Sequence, residues 1–159
     1  MTEFMYFVTN LFDLSLYFVL MIFFVSVLIY LVRNLRYTVL FLSSLFYGAV
    51  VAHVLKSFFN VARPLGGLVL ETDSSFPSGH ATIATIFFII LMYVFDDYFK
   101  GAWKWLFNIF CIVSLLLVSY SRLYLGVHWA SDVLAGIILG AGISYLLVLF
   151  FRKTNFKTR

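Results

Sequence analysis

PSGHATIATIFFIILMYVF, residues 77–95, sets a proline, a serine, a glycine and a histidine directly before an apolar run, Ala81–Phe95, that carries no charge. A helix crossing the hydrocarbon core needs ~20 apolar residues, so this run reaches spanning length only if its helix begins at Pro77 or Ser78. That start places His80 one turn in, at the mouth of the span. Proline near the first helical position loses no needed hydrogen bond, and the free amides behind it form a ready anion site with the helix dipole. Gly79 lets an anion approach the backbone closely, and the Ser78 hydroxyl adds a donor. The plainer reading is a helix start with an interfacial histidine, and four residues taken alone favour it.

Four more apolar runs surround this one: about Leu14–Leu31, Val39–Leu55, Trp103–Tyr120 and Ser131–Phe151. Runs of ~17–21 residues are long enough to cross as helices. With 64% hydrophobic and 11% charged residues and a mean hydropathy of +1.04, the chain does not fit a soluble globular domain. The expected fold is all-α, an integral membrane bundle of five transmembrane helices. Residues 4–12 (Phe4, Met5, Phe7, Val8, Leu11, Phe12) suit a short N-terminal interfacial helix. Length allows a single membrane-embedded domain over residues 1–159, and no fixed-period repeat or low-complexity segment divides it. No basic segment precedes the first run and no small-residue cleavage site follows it, so it is expected to remain a span rather than act as a signal peptide. The single cysteine, Cys111, lies in an apolar run and reads as a small filler.

The basic residues sort by side. Arg33 and Arg36 lie between the first two spans, Lys100 and Lys104 between the third and fourth, and Arg152, Lys153, Lys157 and Arg159 after the fifth. If the spans alternate, these eight share one face, which the positive-inside rule makes cytoplasmic. The other three, Lys56, Arg63 and Arg122, fall on the opposite face together with the N-terminus, which carries Glu3 and Asp13. The net charge of +4 is therefore topology and implies no nucleic-acid partner.

Those three cations belong to two further motifs, Lys56-x6-Arg63-Pro64 and Ser121-Arg122-x5-His128-x3-Asp132. His128 and Asp132 are four apart at a helix start and share a face. A carboxylate there can hold one ring nitrogen of His128 as N–H and leave the other as a nucleophile or base. The plainer reading is a His–Asp capping pair, since Asp is favoured at a helix N-terminus. Arg122 argues against it, because a buried guanidinium wants an anion. For Lys56 and Arg63 the plainer reading is snorkelling toward headgroups, which weakens when all three cations of that face fall within motifs. His53, one turn before Lys56, is read as facing the bundle interior in a structural or supporting role, outside the site. Two imidazoles and a carboxylate can hold a metal, but three cations would repel one, and the expected site has no metal and no cofactor.

Taken together, the motifs resemble the type 2 phosphatidic acid phosphatase family, which shares its site with vanadium-dependent haloperoxidases. Its pattern K-x6-R-P, P-S-G-H, S-R-x5-H-x3-D is present without substitution from Lys56 to Asp132, about half the chain. The family's usual integral members have six spans, where five are read here. The resemblance implies that His128 attacks phosphorus to give a phosphohistidine and that Asp132 orients it. It implies that His80 protonates the leaving oxygen and then activates water, while Lys56, Arg63, Ser78, Gly79 and Arg122 hold the phosphoryl oxygens. The implied partner is a phosphorylated membrane lipid, with lipid A 1-phosphate favoured over undecaprenyl diphosphate and phosphatidylglycerophosphate. The implied place is the bacterial inner membrane, with the site periplasmic and the C-terminus cytoplasmic.

Rivals from other classes are a transporter, which would place its charges near the midplane on broken helices, and a non-catalytic assembly protein. A lipid phosphotransferase differs only in what attacks the phosphohistidine. The stripe Gly136-x3-Gly140-x3-Ser144 is expected to pack inside the bundle rather than form a dimer seam, consistent with a monomer or weak homodimer.

Overall fold

The computed structural model describes residues 1–13, 15–69 and 71–154. Leu14 and Leu70, and Lys157 and Arg159 of the basic tail, lie outside the described residues. Within them every regular element is a helix: α1 Thr2–Asn10, α2 Leu16–Val32, α3 Leu35–Phe59, α4 Gly79–Val94, α5 Gly101–Tyr124 and α6 Ala130–Lys153. Among the described residues α3, α5 and α6 are long and apolar enough to cross a membrane, and α2 and α4 are shorter apolar helices.

The helix ends follow local chemistry. Ser15 accepts the Phe18 amide and caps α2, and Asn34 accepts the Tyr37 amide and caps α3. Asn60 ends α3 in the left-handed region at φ 45°, where asparagine is tolerated. The opening stretch departs from its expected start. Ser78 is extended, with its N–H donated to the Asp132 carbonyl at 3.0 Å, so α4 begins only at Gly79. Its 16 residues rise about 24 Å.

A helix that short is surrounded by its neighbours. α4 packs against α3, α5 and α6 and buries residues along its whole length, from Ala81 through Ile86 and Ile90 to Val94. Lipid tails are as apolar as these side chains, so the gain is close packing more than removal of water. Phe87 meets Phe41 edge-on at 5.4 Å and Phe12 at 5.6 Å. Small residues bring α6 closest. A Cβ at Gly136 would stand 2.7 Å from the Ser78 carbonyl oxygen, and one at Gly140 2.7 Å from that of Thr82. Ser144 is buried beyond them. The glycine stripe therefore joins α6 to α4 within the bundle, as its spacing suggests.

Candidate active site

Lys56 leaves the last turn of α3, Arg63 the following linker, His80 the first turn of α4, Arg122 the last turn of α5, and His128 and Asp132 the start of α6. The α4–α6 contact brings the last two motifs into register, and the linker 60–78 folds back to complete the group. Trp129 donates its indole N–H to the Ala62 carbonyl at 3.1 Å. Arg63 donates to the Val127 carbonyl at 2.8 Å, and its Nη1 stands 3.4 Å from Nε2 of His128. Cε of Lys56 passes 3.9 Å from where a Cβ on Gly79 would sit. All eight residues singled out in the sequence gather at one end of the bundle.

Asp132 has two duties. One carboxylate oxygen accepts the Trp129 amide at 2.9 Å, which caps α6. The same oxygen stands 3.7 Å from Nδ1 of His128, a close electrostatic approach beyond hydrogen-bond length. The capping bond is made, and the carboxylate stands beside His128 without hydrogen-bonding it. Nε2 is thereby the ring nitrogen turned toward the cations. Burial, and then the charges of Arg122, Arg63 and Lys56, pull His128 from 6.5 down to about 3. The imidazole is neutral at physiological pH and its lone pair is available.

Arg122 is 1% exposed. It donates to Thr9 Oγ1 of α1 at 2.6 Å and to the Glu71 carboxylate. Arg63 also pairs with Glu71 at 2.6 Å and with Asp73 at 2.5 Å, and Lys56 with Asp73 at 2.7 Å. Thr9, Glu71 and Asp73 escaped the sequence reading. For the two acids a signal existed, since they share a linker with Arg63 on the face of the three cations. For Thr9 there was none. Among the described residues, Ser78 Oγ, His80 Nε2, Arg122 Nε and His128 Nδ1 are buried polar atoms without a hydrogen-bond partner. Buried polar groups are rarely left so; His128 Nδ1 faces the Asp132 carboxylate, and the other three suit an anion with acceptor oxygens.

Two expectations need correction. The Ser78 amide is not free for an anion, because the Asp132 carbonyl already accepts it. His53 does not face the bundle interior. It is exposed on the wall of a cavity of about 750 Å³ that also reaches Lys56, His80 and His128. From these groups the cavity runs between α2, α3 and α4 past Ile22, Leu42, Phe46 and Val50.

The sequence model described as the PAP2 superfamily matches residues 36–156. The chain belongs to the PAP2 superfamily. The resemblance read from the three motifs is thereby borne out, and α1 and α2 lie before the matched residues. Among curated relatives, an undecaprenyl-diphosphatase of Sulfolobus acidocaldarius is 44% identical over 48% of this chain and 34% of its own length. The phosphatidylglycerophosphatase B of Bacillus subtilis is 38% identical over 65% of this chain and 49% of its own. A lipid A 1-phosphatase of Rhizobium johnstonii is 32% identical over 50% of this chain and 29% of its own. The chain thus spans half or less of the length of these PAP2 relatives. The crystal structure of a transmembrane PAP2-type phosphatidylglycerolphosphate phosphatase from Bacillus subtilis matches 99% of this chain and 79% of that one, at 30% identity and a TM-score of 0.87.

Proposed function

We propose that this PAP2 protein is a five-span lipid phosphate phosphatase, a single domain working through a phosphohistidine. The observation that carries the reading is the convergence of Lys56, His80 and His128 at the head of an apolar cavity, with Arg63 3.4 Å from Nε2 of His128 and Arg122 joined to Arg63 through Glu71. Nε2 of His128 attacks phosphorus, and the bond from phosphorus to the lipid oxygen breaks. His80 gives that oxygen its proton. Water, losing a proton to His80, then cleaves the phosphohistidine to release inorganic phosphate. Asp132 stabilises the imidazolium of the intermediate. Lys56, Arg63, Arg122, the Ser78 hydroxyl and the Gly79 amide hold the phosphoryl oxygens, so the charge built up in transfer needs no metal ion.

The cavity supports a substrate whose chain lies among α2, α3 and α4 while its phosphate meets the cations. The match to phosphatidylglycerophosphatase B, and the likeness over nearly the whole chain to a phosphatidylglycerolphosphate phosphatase, support phosphatidylglycerophosphate as well as lipid A 1-phosphate. Undecaprenyl diphosphate stands beside them. The placement of basic residues supports a periplasmic site and a cytoplasmic C-terminus, with α1 lying at the interface.

Purified protein should release phosphate from one or more of these three lipids, should keep that activity in excess EDTA, and should be inhibited by orthovanadate, which mimics the transition state. No phosphate release from any of the panel would sink the phosphatase reading. Activity lost in EDTA and restored by magnesium or zinc would remove only its metal-free part.

A further inference from the structure

Glu71 and Asp73 already hold the cations that the phosphatase reading assigns to a phosphate. Arg63 and Arg122 both bond Glu71, and Lys56 and Arg63 both bond Asp73. A carboxylate offers a guanidinium the same pair of oxygens that a phosphoryl group offers, at the same distances. Both therefore seek the same nitrogens. The charges also match. Two carboxylates carry two negative charges, and a phosphate monoester carries about 1.5 to 2 at neutral pH.

The acids have somewhere to go and the cations do not. The Asp73 side chain is 56% exposed and that of Glu71 24%, against 2% for Arg122. Burial works against the Asp73 charge, but hydrogen bonds from Lys56 and Arg63 hold its carboxyl at about 2, so it is ionised throughout the physiological range. Three largely buried cations without counter-charge would grip any phosphate, and the product of hydrolysis as firmly as the substrate.

We propose that Glu71 and Asp73 are the resident counter-anions of this cradle, displaced by the substrate's phosphate on binding and returning to expel inorganic phosphate after hydrolysis. This rests on the phosphatase reading above. Both are positioning residues that act through Lys56, Arg63 and Arg122. Their effect falls on anion affinity, so they raise the KM for the lipid and keep the product from blocking the site.

The test is calorimetric titration of sodium orthovanadate and of inorganic phosphate into detergent-purified wild type, E71Q and D73N, with lipid KM, kcat and phosphate inhibition measured beside it. Loss of one competing carboxylate should tighten orthovanadate binding on the order of tenfold, about 1.4 kcal/mol. KM should fall, and inhibition by phosphate should strengthen. If the acids only hold the arginines in place, binding should instead weaken and kcat drop. E71Q leaves the buried Arg122 without its acid, so D73N, altered at a half-exposed side chain, decides where E71Q does not fold. Unchanged or weaker anion binding in D73N overturns the proposal and leaves the phosphatase reading standing. If wild type and D73N bind neither anion, the cradle itself is wrong and both readings fall.

Discussion

Where α3 and α5 end and α4 and α6 begin, Arg122 is shielded from solvent and Lys56, Arg63 and Arg122 converge on two linker acids. Where α2 turns into α3 and α4 into α5, Lys104 pairs with Asp96 at 2.7 Å with side chains 39% and 54% exposed, and Arg33 reaches Asp97 at 3.5 Å. Both ends pair their charges. At the first, desolvation makes each pairing matter and leaves polar atoms of Ser78, His80, Arg122 and His128 unsatisfied. At the second, solvent screens the Lys104–Asp96 pair, whose worth is then about 0–1 kcal/mol. Burial, more than the number of charges, separates a site from a charged rim.

The largest effect that tests this contrast is chemical. H128A should lower phosphate release by roughly four orders of magnitude or more, as expected for a lost nucleophile. H80A should cost about 10²–10⁴-fold, the range for a general acid and base. R36A, at the opposite end, should leave turnover unchanged. Near-wild-type release by H128A would show that the buried cluster is structural, like the other end.

Next comes the contact that assembles the two motifs. A side chain at Gly136 would press on the Ser78 carbonyl oxygen 2.7 Å away and on Ala81, and neither can yield without moving α4. G136V should cost about 1–3 kcal/mol of stability through overpacking and lower kcat in the protein that still folds. Thermal unfolding in detergent and phosphate release measure both. A G136V protein with unchanged kcat would mean that the register of α4 on α6 does not set the site geometry.

Most of the site was legible because its residues sit at helix ends, where spacing along the chain translates into position in space. Lys56, His80, Arg122, His128 and Asp132 needed only alternating helices to meet. The start of α4 was less legible, because the hydrogen bond from the Ser78 amide to Asp132 is made to another helix and leaves no periodic mark. Thr9 was missed for the same reason, since it reaches Arg122 through the folding of α1, whereas Glu71 and Asp73 did carry a signal in sharing the linker of Arg63. His53 was placed inside on its proximity to Lys56, yet it lies on the cavity wall. One turn along a helix does not fix a face when apolar residues surround the whole circumference.

A smaller effect appears in the pH dependence of stability. Burial and the three cations hold His128 at about 3 when folded, against roughly 6.5 unfolded. The unfolded chain therefore takes up this proton first as pH falls. The stability from the neutral imidazole is fully present above about pH 6.5 and is lost as pH drops toward 3. Between about pH 6.5 and 4 the thermal midpoint of wild type should fall more steeply than that of H128Q. Parallel slopes would mean that His128 is not desolvated among the cations.

The smallest effect belongs to the other end. D96N and K104M each remove one partner of an exposed ion pair, 2.7 Å long in the fold. Water and salt screen that pair, and its two flexible side chains lose entropy on pairing. Each variant should shift stability by about 1 kcal/mol or less, with no change in turnover. Raising ionic strength should erase even that difference, because the pair lies within reach of counterions. The ion pair of Arg122 with Glu71 should resist the same salt, because its guanidinium is closed to solvent. A shift in D96N or K104M well beyond that range, or one that survives high salt, would mean that this end is buried in the folded protein and that exposure does not divide the two ends.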